Sequence, residues 1–184
     1  MTGAAEERAS ILERLHRDTA GGLLNYFSRR VDSSDDAADL LSETFLVAWK
    51  QSATVPAGDE EARMWMYGVA RNVLANWSRG RRRRTALADS LKERLAHSLS
   101  ASDAPSHEVV DIREAVRALP SNQRELVMLV YWDGFSIVEA GTILGLSEST
   151  VRGRHQRART RLSEALAPSS QLGPLADFSA KGTT

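Results

Sequence analysis

The stretch from Ser136 to Leu162, SIVEAGTILGLSESTVRGRHQRARTRL, constrains the chain more than any other: a short apolar helix, a turn on Gly145 and Leu146, and a longer arginine-rich helix. Gly145 adopts at no steric cost the left-handed conformation that stops a helix, and Leu146 fills the angle between the two helices. Ser147 offers its hydroxyl as N-cap of the second helix, with Thr150 in the first turn. At about 100° per residue, Val151, Ala158, Leu162, Ala165 and Leu166 share one face of that helix, whereas Ser149, Gly153, Gln156, Arg157 and Thr160 share the other. One face packs and the other is left to meet a ligand. In a helix-turn-helix the second helix enters the major groove, where Arg and Gln bond guanine and adenine edges in pairs. A solvated arginine face would account for the second helix alone. The preceding helix and the capped turn make duplex DNA the expected partner.

Composition narrows the remainder. A chain of 184 residues accommodates one domain or two small ones, each still able to bury a modest core. Cysteine is absent, which excludes disulfides, thiolate zinc sites and cysteine nucleophiles. No apolar run approaches the roughly 18 residues of a membrane span, and the amino-terminal TGAAEER is polar and acidic. Cytoplasmic localisation without membrane insertion is expected. His16, His97, His107 and His155 are scattered, with no metal-ligand spacing among them. Nor is there a glycine-rich phosphate loop, a nucleophile elbow or a convergent acid pair, so neither a metal, a cofactor nor catalysis is expected of the chain. The formal net charge is zero, but its distribution is uneven. Asp32, Asp35, Asp36, Asp39 and Glu43 form an acidic stretch; Arg71, Arg79 and Arg81–Arg84 form one basic surface, and Arg152, Arg154, Arg157, Arg159 and Arg161 a second. Two basic surfaces and an acidic one imply at least two kinds of partner.

Helical periodicity divides the chain into two all-α domains. Leu12, Leu15, Leu23, Leu24 and Phe27 mark helices near the amino terminus, with Gly21-Gly22 as a break or kink. Asp35 or Asp36 caps the next helix, whose stripe is Ala37, Leu40, Leu41, Thr44, Phe45, Ala48 and Trp49. Gln51 to Glu61 reads as a loop, followed by a helix from near Ala62 with Met66, Val69, Ala70, Val73 and Trp77 on its buried face. Residues 1–92 are thus the first domain, 93–108 a flexible linker too polar and broken to pack, 109–168 the second domain and 169–184 an aperiodic, disordered tail. Within the second domain Pro120 separates two helices, Ser121 or Asn122 caps the second of them, and Gly134 ends it.

Four segments, Asp36–Lys50, Arg63–Leu74 leading into the arginine run, Ala118–Glu125 and Thr150–Arg161, resemble in order and spacing the extracytoplasmic-function (ECF, group 4) class of bacterial sigma-70-family RNA polymerase sigma factors. The resemblance runs from about residue 12 to residue 166 and no single motif carries it. It implies an amino-terminal region 2 that docks on core RNA polymerase and opens the −10 promoter element, and a carboxy-terminal region 4 that reads the −35 element. It also implies contacts with the beta-prime clamp helices and the beta flap, and a dedicated anti-sigma factor. The linker would thread towards the RNA exit path.

The candidate residues follow. Opposite the core of the Asp36–Lys50 helix stand Asp39, Glu43, Leu46 and Lys50. A solvated face explains the charges but not an apolar Leu46 among them, which fits the centre of a docking patch with a charged rim; by resemblance this face meets the polymerase. Arg71, Asn72 and Asn76 lie off the buried stripe of the next helix and are expected at the −10 element, with Arg79, Arg81, Arg82, Arg83 and Arg84 on the DNA backbone. Trp65 also lies off that stripe, where it can still pack against a neighbouring helix. In the family the loop before that helix captures a flipped base, yet Gln51 to Glu61 holds no aromatic residue. In region 4, Ser149, Thr150, Arg152, Gly153, Gln156 and Arg157 are the −35 candidates. His155 occupies a position often apolar in the family and is expected to be a partly buried neutral imidazole. The alternative to a sigma factor is a stand-alone regulator binding palindromic operators as a dimer.

Overall fold

The computed structural model describes residues 2–93 and 112–166; most of the expected linker and the expected tail lie outside them. Among the described residues every regular element is helical: α1 (Thr2–Ser28), α2 (Ser34–Lys50), a 3₁₀ turn (Ser52–Thr54), α3 (Asp59–Glu93), α4 (Ile112–Ala118), α5 (Ser121–Tyr131), α6 (Ile137–Leu144) and α7 (Glu148–Leu166). The chain divides into two compact units, one holding α1–α3 and the other α4–α7.

In the first unit each helix contributes a stripe at helical spacing. Leu15, Thr19, Leu23, Tyr26 and Phe27 come from α1, Ala37, Leu40, Thr44 and Ala48 from α2, and Ala62, Met66, Val69, Ala70 and Val73 from α3, all buried. The two buried threonines are satisfied internally: Thr19 Oγ1 donates to the Leu15 carbonyl at 2.6 Å and Thr44 Oγ1 to the Leu40 carbonyl at 2.7 Å. Gly21-Gly22 does not break the first helix, contrary to expectation; α1 is continuous. The reason is packing. A Cβ on Gly22 would stand 2.6 Å from Tyr67 Oη, so the glycine lets α3 approach α1, and Tyr26 meets Tyr67 edge-on at 5.5 Å between ring centroids. That contact offsets the roughly 1 kcal/mol a mid-helix glycine costs.

Two capping expectations are corrected. Ser33, not Asp35 or Asp36, caps α2: its side chain accepts from Asp35 N at 3.2 Å and Asp36 N at 3.4 Å. Both aspartates sit in the first turn, where their charge complements the helix dipole. Neither Ser121 nor Asn122 caps α5; the cap is Pro120, held extended at ψ 140° and making no side-chain cap bond. Its carbonyl takes Gln123 N and Arg124 N, both at 2.9 Å, so the helix begins directly after the proline.

The second unit buries Ala115, Val116, Leu119, Leu126, Val127, Leu129, Phe135, Ala140, Ile143, Val151 and Ala158. Gly134 (φ 75°) redirects the chain after α5. A reciprocal capping box, Ser136 with Glu139, opens α6; a serine followed three residues later by a glutamate is its sequence sign. Gly145 closes α6 in the left-handed conformation at φ 66°, ψ 38°, with Leu146 N bonding the Gly141 carbonyl at 2.9 Å. Gly141 faces α7 so closely that an added Cβ would lie 3.0 Å from a Val151 methyl. Gly145→Ala is expected to cost about 1 kcal/mol, because alanine pays for the left-handed conformation, and urea unfolding followed by circular dichroism measures it.

Candidate nucleic-acid interface

On α7 the expected division of faces holds at its centre. Val151, His155 and Ala158 are buried and Leu162 packs partly against them, whereas Ala165 is exposed near the helix end. Ser149, Gln156 and Thr160 are exposed along the outward face with the half-buried Gly153, and the exposed Arg152 and Arg157 flank them. Ser147 Oγ accepts from Thr150 N at 3.4 Å and lies 2.8 Å from Thr150 Oγ1 and 3.3 Å from Ser149 Oγ, so the cap also orders the first two hydroxyls of this face. Arg152 reaches back one turn, its Nε and Nη2 donating to Glu148 Oε1 at 2.9 and 2.6 Å. The spacing of Glu148 and Arg152 is readable in the sequence as an i, i+4 acid–base pair; its two-pronged geometry is not.

Behind the outward face, His155 is only 8% exposed and its Nε2 lies 3.1 Å from Tyr131 Oη of α5, the two rings stacked at 5.8 Å. Loss of hydration, and secondarily the charge of Arg159, hold the imidazole below its usual 6.5. The group is therefore neutral in the folded state where the unfolded chain already takes up a proton. Its contribution to stability is complete above pH 6.5 and is lost as the pH falls from there through the lowered folded value. The second unit is expected to lose stability with a slope of up to about 1.4 kcal/mol per pH unit in that window, and His155→Leu to flatten the slope, in denaturant titrations run at successive pH values.

On α3 the outward residues do not form one surface. Asn72 and Asn76 are exposed, Arg71 is half-buried, and Arg79 Nη2 donates to Asn76 Oδ1 one turn away. At about 100° per residue Arg71, Arg79 and Arg82 lie on the side opposite Met66, whereas Arg81 and Arg84 continue the line of the buried stripe past the end of the core. Arg81 points to the α1–α2 turn, 3.4 Å from an Asp32 carboxylate oxygen and 5.2 Å from the Trp77 ring centroid. Trp65 is half-buried. Of the 51–61 loop, Ser52 is buried and residues 59–61 already belong to α3.

The third surface is on α2. Asp39, Glu43, Leu46 and Lys50 are all exposed on one face, with Leu46 at 53% exposure. Trp49, expected in the core stripe, is 54% exposed and stands beside Leu46. The buried stripe is narrower than its sequence pattern, because Phe45 lies half-buried against His16 of α1 at 5.0 Å while Trp49 is one turn further along. Thus the apolar part of this face is larger than the sequence suggested. Among the described residues no cluster of His, Asp and Glu is arranged to hold a metal, and no helix is long and apolar enough to cross a membrane.

Two helical units, one presenting a helix-turn-helix and the other a long helix with a basic end, define a DNA-binding protein of the helix-turn-helix class. Residues 15–84 match the model of sigma-70 region 2, and residues 110–162 that of sigma-70 region 4. The ECF RNA polymerase sigma factor SigL of Mycobacterium tuberculosis is 27% identical over 164 residues, covering 84% of this chain and 88% of SigL. EcfG of Rhodopseudomonas palustris, also an ECF sigma factor, is 33% identical over 134 residues, 73% of each chain. The sigma factor RpoE of Bartonella quintana, solved in complex with the anti-sigma factor NepR, superposes with a TM-score of 0.56 at 27% identity over 92% of this chain and 99% of its own. The chain belongs to the extracytoplasmic-function sigma factors of the sigma-70 family. Proteins of this family bind core RNA polymerase and promoter DNA to initiate transcription, which sets aside the dimeric operator-binding regulator.

Proposed function

We propose that this sigma factor docks on core polymerase through the α2 face of Asp39, Glu43, Leu46 and Lys50, extended by Trp49. Residues 1–92 then act as region 2, 93–108 as the linker and 109–168 as region 4. In region 2, Arg71, Asn72 and Asn76 meet the −10 element during melting, and Arg79 and Arg82–Arg84 hold its phosphates. Arg81 joins them by exchanging Asp32 for a phosphate. In region 4, Ser149, Thr150, Arg152, Gly153, Gln156 and Arg157 read the −35 element, while the beta flap supports the unit from outside the groove. The observation that carries this reading is the pair of outward faces: an apolar centre with a charged rim on α2, and a capped, arginine-flanked groove-sized helix in α7. The chain acts in the cytoplasm and performs no catalysis itself; bond formation belongs to the polymerase. An anti-sigma factor holds it inactive, a control supported by the likeness to RpoE, which was solved with NepR bound.

Run-off transcription with purified core polymerase on pooled genomic fragments of the host tests the whole reading. Discrete transcripts sharing two asymmetric upstream elements are the expected result. Polymerase binding without transcripts would remove the promoter-opening role, and absence of polymerase binding would remove the reading altogether.

A further inference from the structure

We propose that Glu148 is a specificity-determining residue that positions Arg152: its carboxylate grips one edge of the guanidinium so that the opposite edge is presented to a base pair. The inference rests on the reading of α7 as the −35 helix. A guanidinium has five N–H donors in a rigid plane. Glu148 Oε1 takes Nε–H at 2.9 Å and one Nη2–H at 2.6 Å, both on the same edge. The far edge, with Nη1 and the second Nη2 hydrogen, has no protein acceptor among the described residues. That remaining fork is the one that spans guanine O6 and N7.

The pair makes poor sense as a stabilising device. Both side chains are well exposed, at 59% and 61%, and an exposed i, i+4 ion pair contributes little. A carboxylate in the first turn of a groove-reading helix also opposes the phosphates, so it weakens binding to every DNA sequence alike. Ordering is what it supplies in return. A free arginine loses much rotamer entropy on engaging a base, and one already held in a single arrangement loses less. A held arginine also discriminates better, because it cannot swing to a neighbouring base or phosphate. Arg157, which flanks the other side of the face, makes no ion pair among the described residues, so the held geometry is particular to Arg152.

The test uses the full chain with core polymerase on a promoter recovered by run-off transcription, with each −35 base pair replaced in turn and open-complex yield measured in competition. Glu148→Ala is expected to lower the preference at one base pair about three- to tenfold, while affinity for unrelated duplex holds or rises. Glu148→Gln, which keeps an oxygen acceptor, should fall between it and the parent. In an Arg152→Ala background Glu148→Ala should change no base preference. If Glu148→Ala shifts all promoters equally while Arg152→Ala still alters one base preference, the positioning role is overturned and the −35 reading stands. Should Arg152→Ala alter no preference at all, the assignment of Arg152 as a base reader fails with it.

Discussion

Leu46→Asp is expected to weaken binding to core RNA polymerase by at least about thirtyfold while leaving the fold intact. The two halves of that expectation have separate causes. Leu46 projects from α2 opposite the stripe of Ala37, Leu40, Thr44 and Ala48, and at 53% exposure it supports no core contact that its loss would empty. Replacing it therefore costs only the fraction of a kcal/mol by which aspartate is the poorer helix former. In the proposed docked complex the same position is the apolar centre inside a rim of Asp39, Glu43 and Lys50, and truncating a desolvated anchor of this kind typically costs about 2 kcal/mol or more, which is the thirtyfold. Leu46→Ala should follow in the same direction with a smaller loss, since it removes the contact without burying a charge. Fluorescence anisotropy of labelled protein against core polymerase gives the affinities, and thermal melts check the fold. Affinities within threefold of the parent for both variants would place the docking face elsewhere.

The largest effect on stability is expected from Phe27→Ala. The ring is fully buried in α1, beside the buried Tyr26, whose own ring meets it edge-on at 5.2 Å between centroids. Truncating such a phenyl group costs about 3–5 kcal/mol, through lost burial and through the cavity left behind. A small domain has a total stability of only about 5–15 kcal/mol, so most of the first unit's margin disappears. The second unit has its own core. Urea unfolding should thus show the α1–α3 transition displaced to low denaturant and the α4–α7 transition unmoved; a uniform shift of both would show that the units unfold together.

What could be read from the chain and what could not follows a physical line. Stripes repeat along a helix, so the cores of α2, α3 and α7 were legible from Leu40, Met66 and Val151 onward, and the Gly145 turn was legible because few residues other than glycine adopt its φ. Effects that depend on a neighbouring helix were not. Gly21-Gly22 has the composition of a break, and only the approach of Tyr67 explains why α1 runs straight through it. Trp49 satisfies the helical period, but the stripe needed to fill the core is one residue narrower, and the indole is left outside. Caps failed where two candidates competed: Ser33 lies one residue before α2 begins, closer to its free N–H groups than the aspartates that follow. Among the candidate site residues, position on a face was predictable, whereas engagement was not. Nothing along the chain tells that Arg81 leans on Asp32, forty-nine residues away.

The long third helix has a consequence for how a protein like this tolerates change. The 35 residues of α3 form one uninterrupted rod, about 50 Å at about 1.5 Å per residue, gripped by the core along its first half and carrying the arginines beyond it. Such a rod behaves as a keyed shaft. The side of the helix from which Arg79 and Arg82 project is set by how many residues separate them from Met66 and Val73. A single residue gained or lost after Trp77 would turn every arginine beyond it by about 100°, breaking the Arg81–Asp32 contact but leaving the buried stripe before it in place. If the arginines meet DNA as proposed, length along this helix is under as strict a constraint as their identity, and the chain stores that part of its address in counting rather than in chemistry.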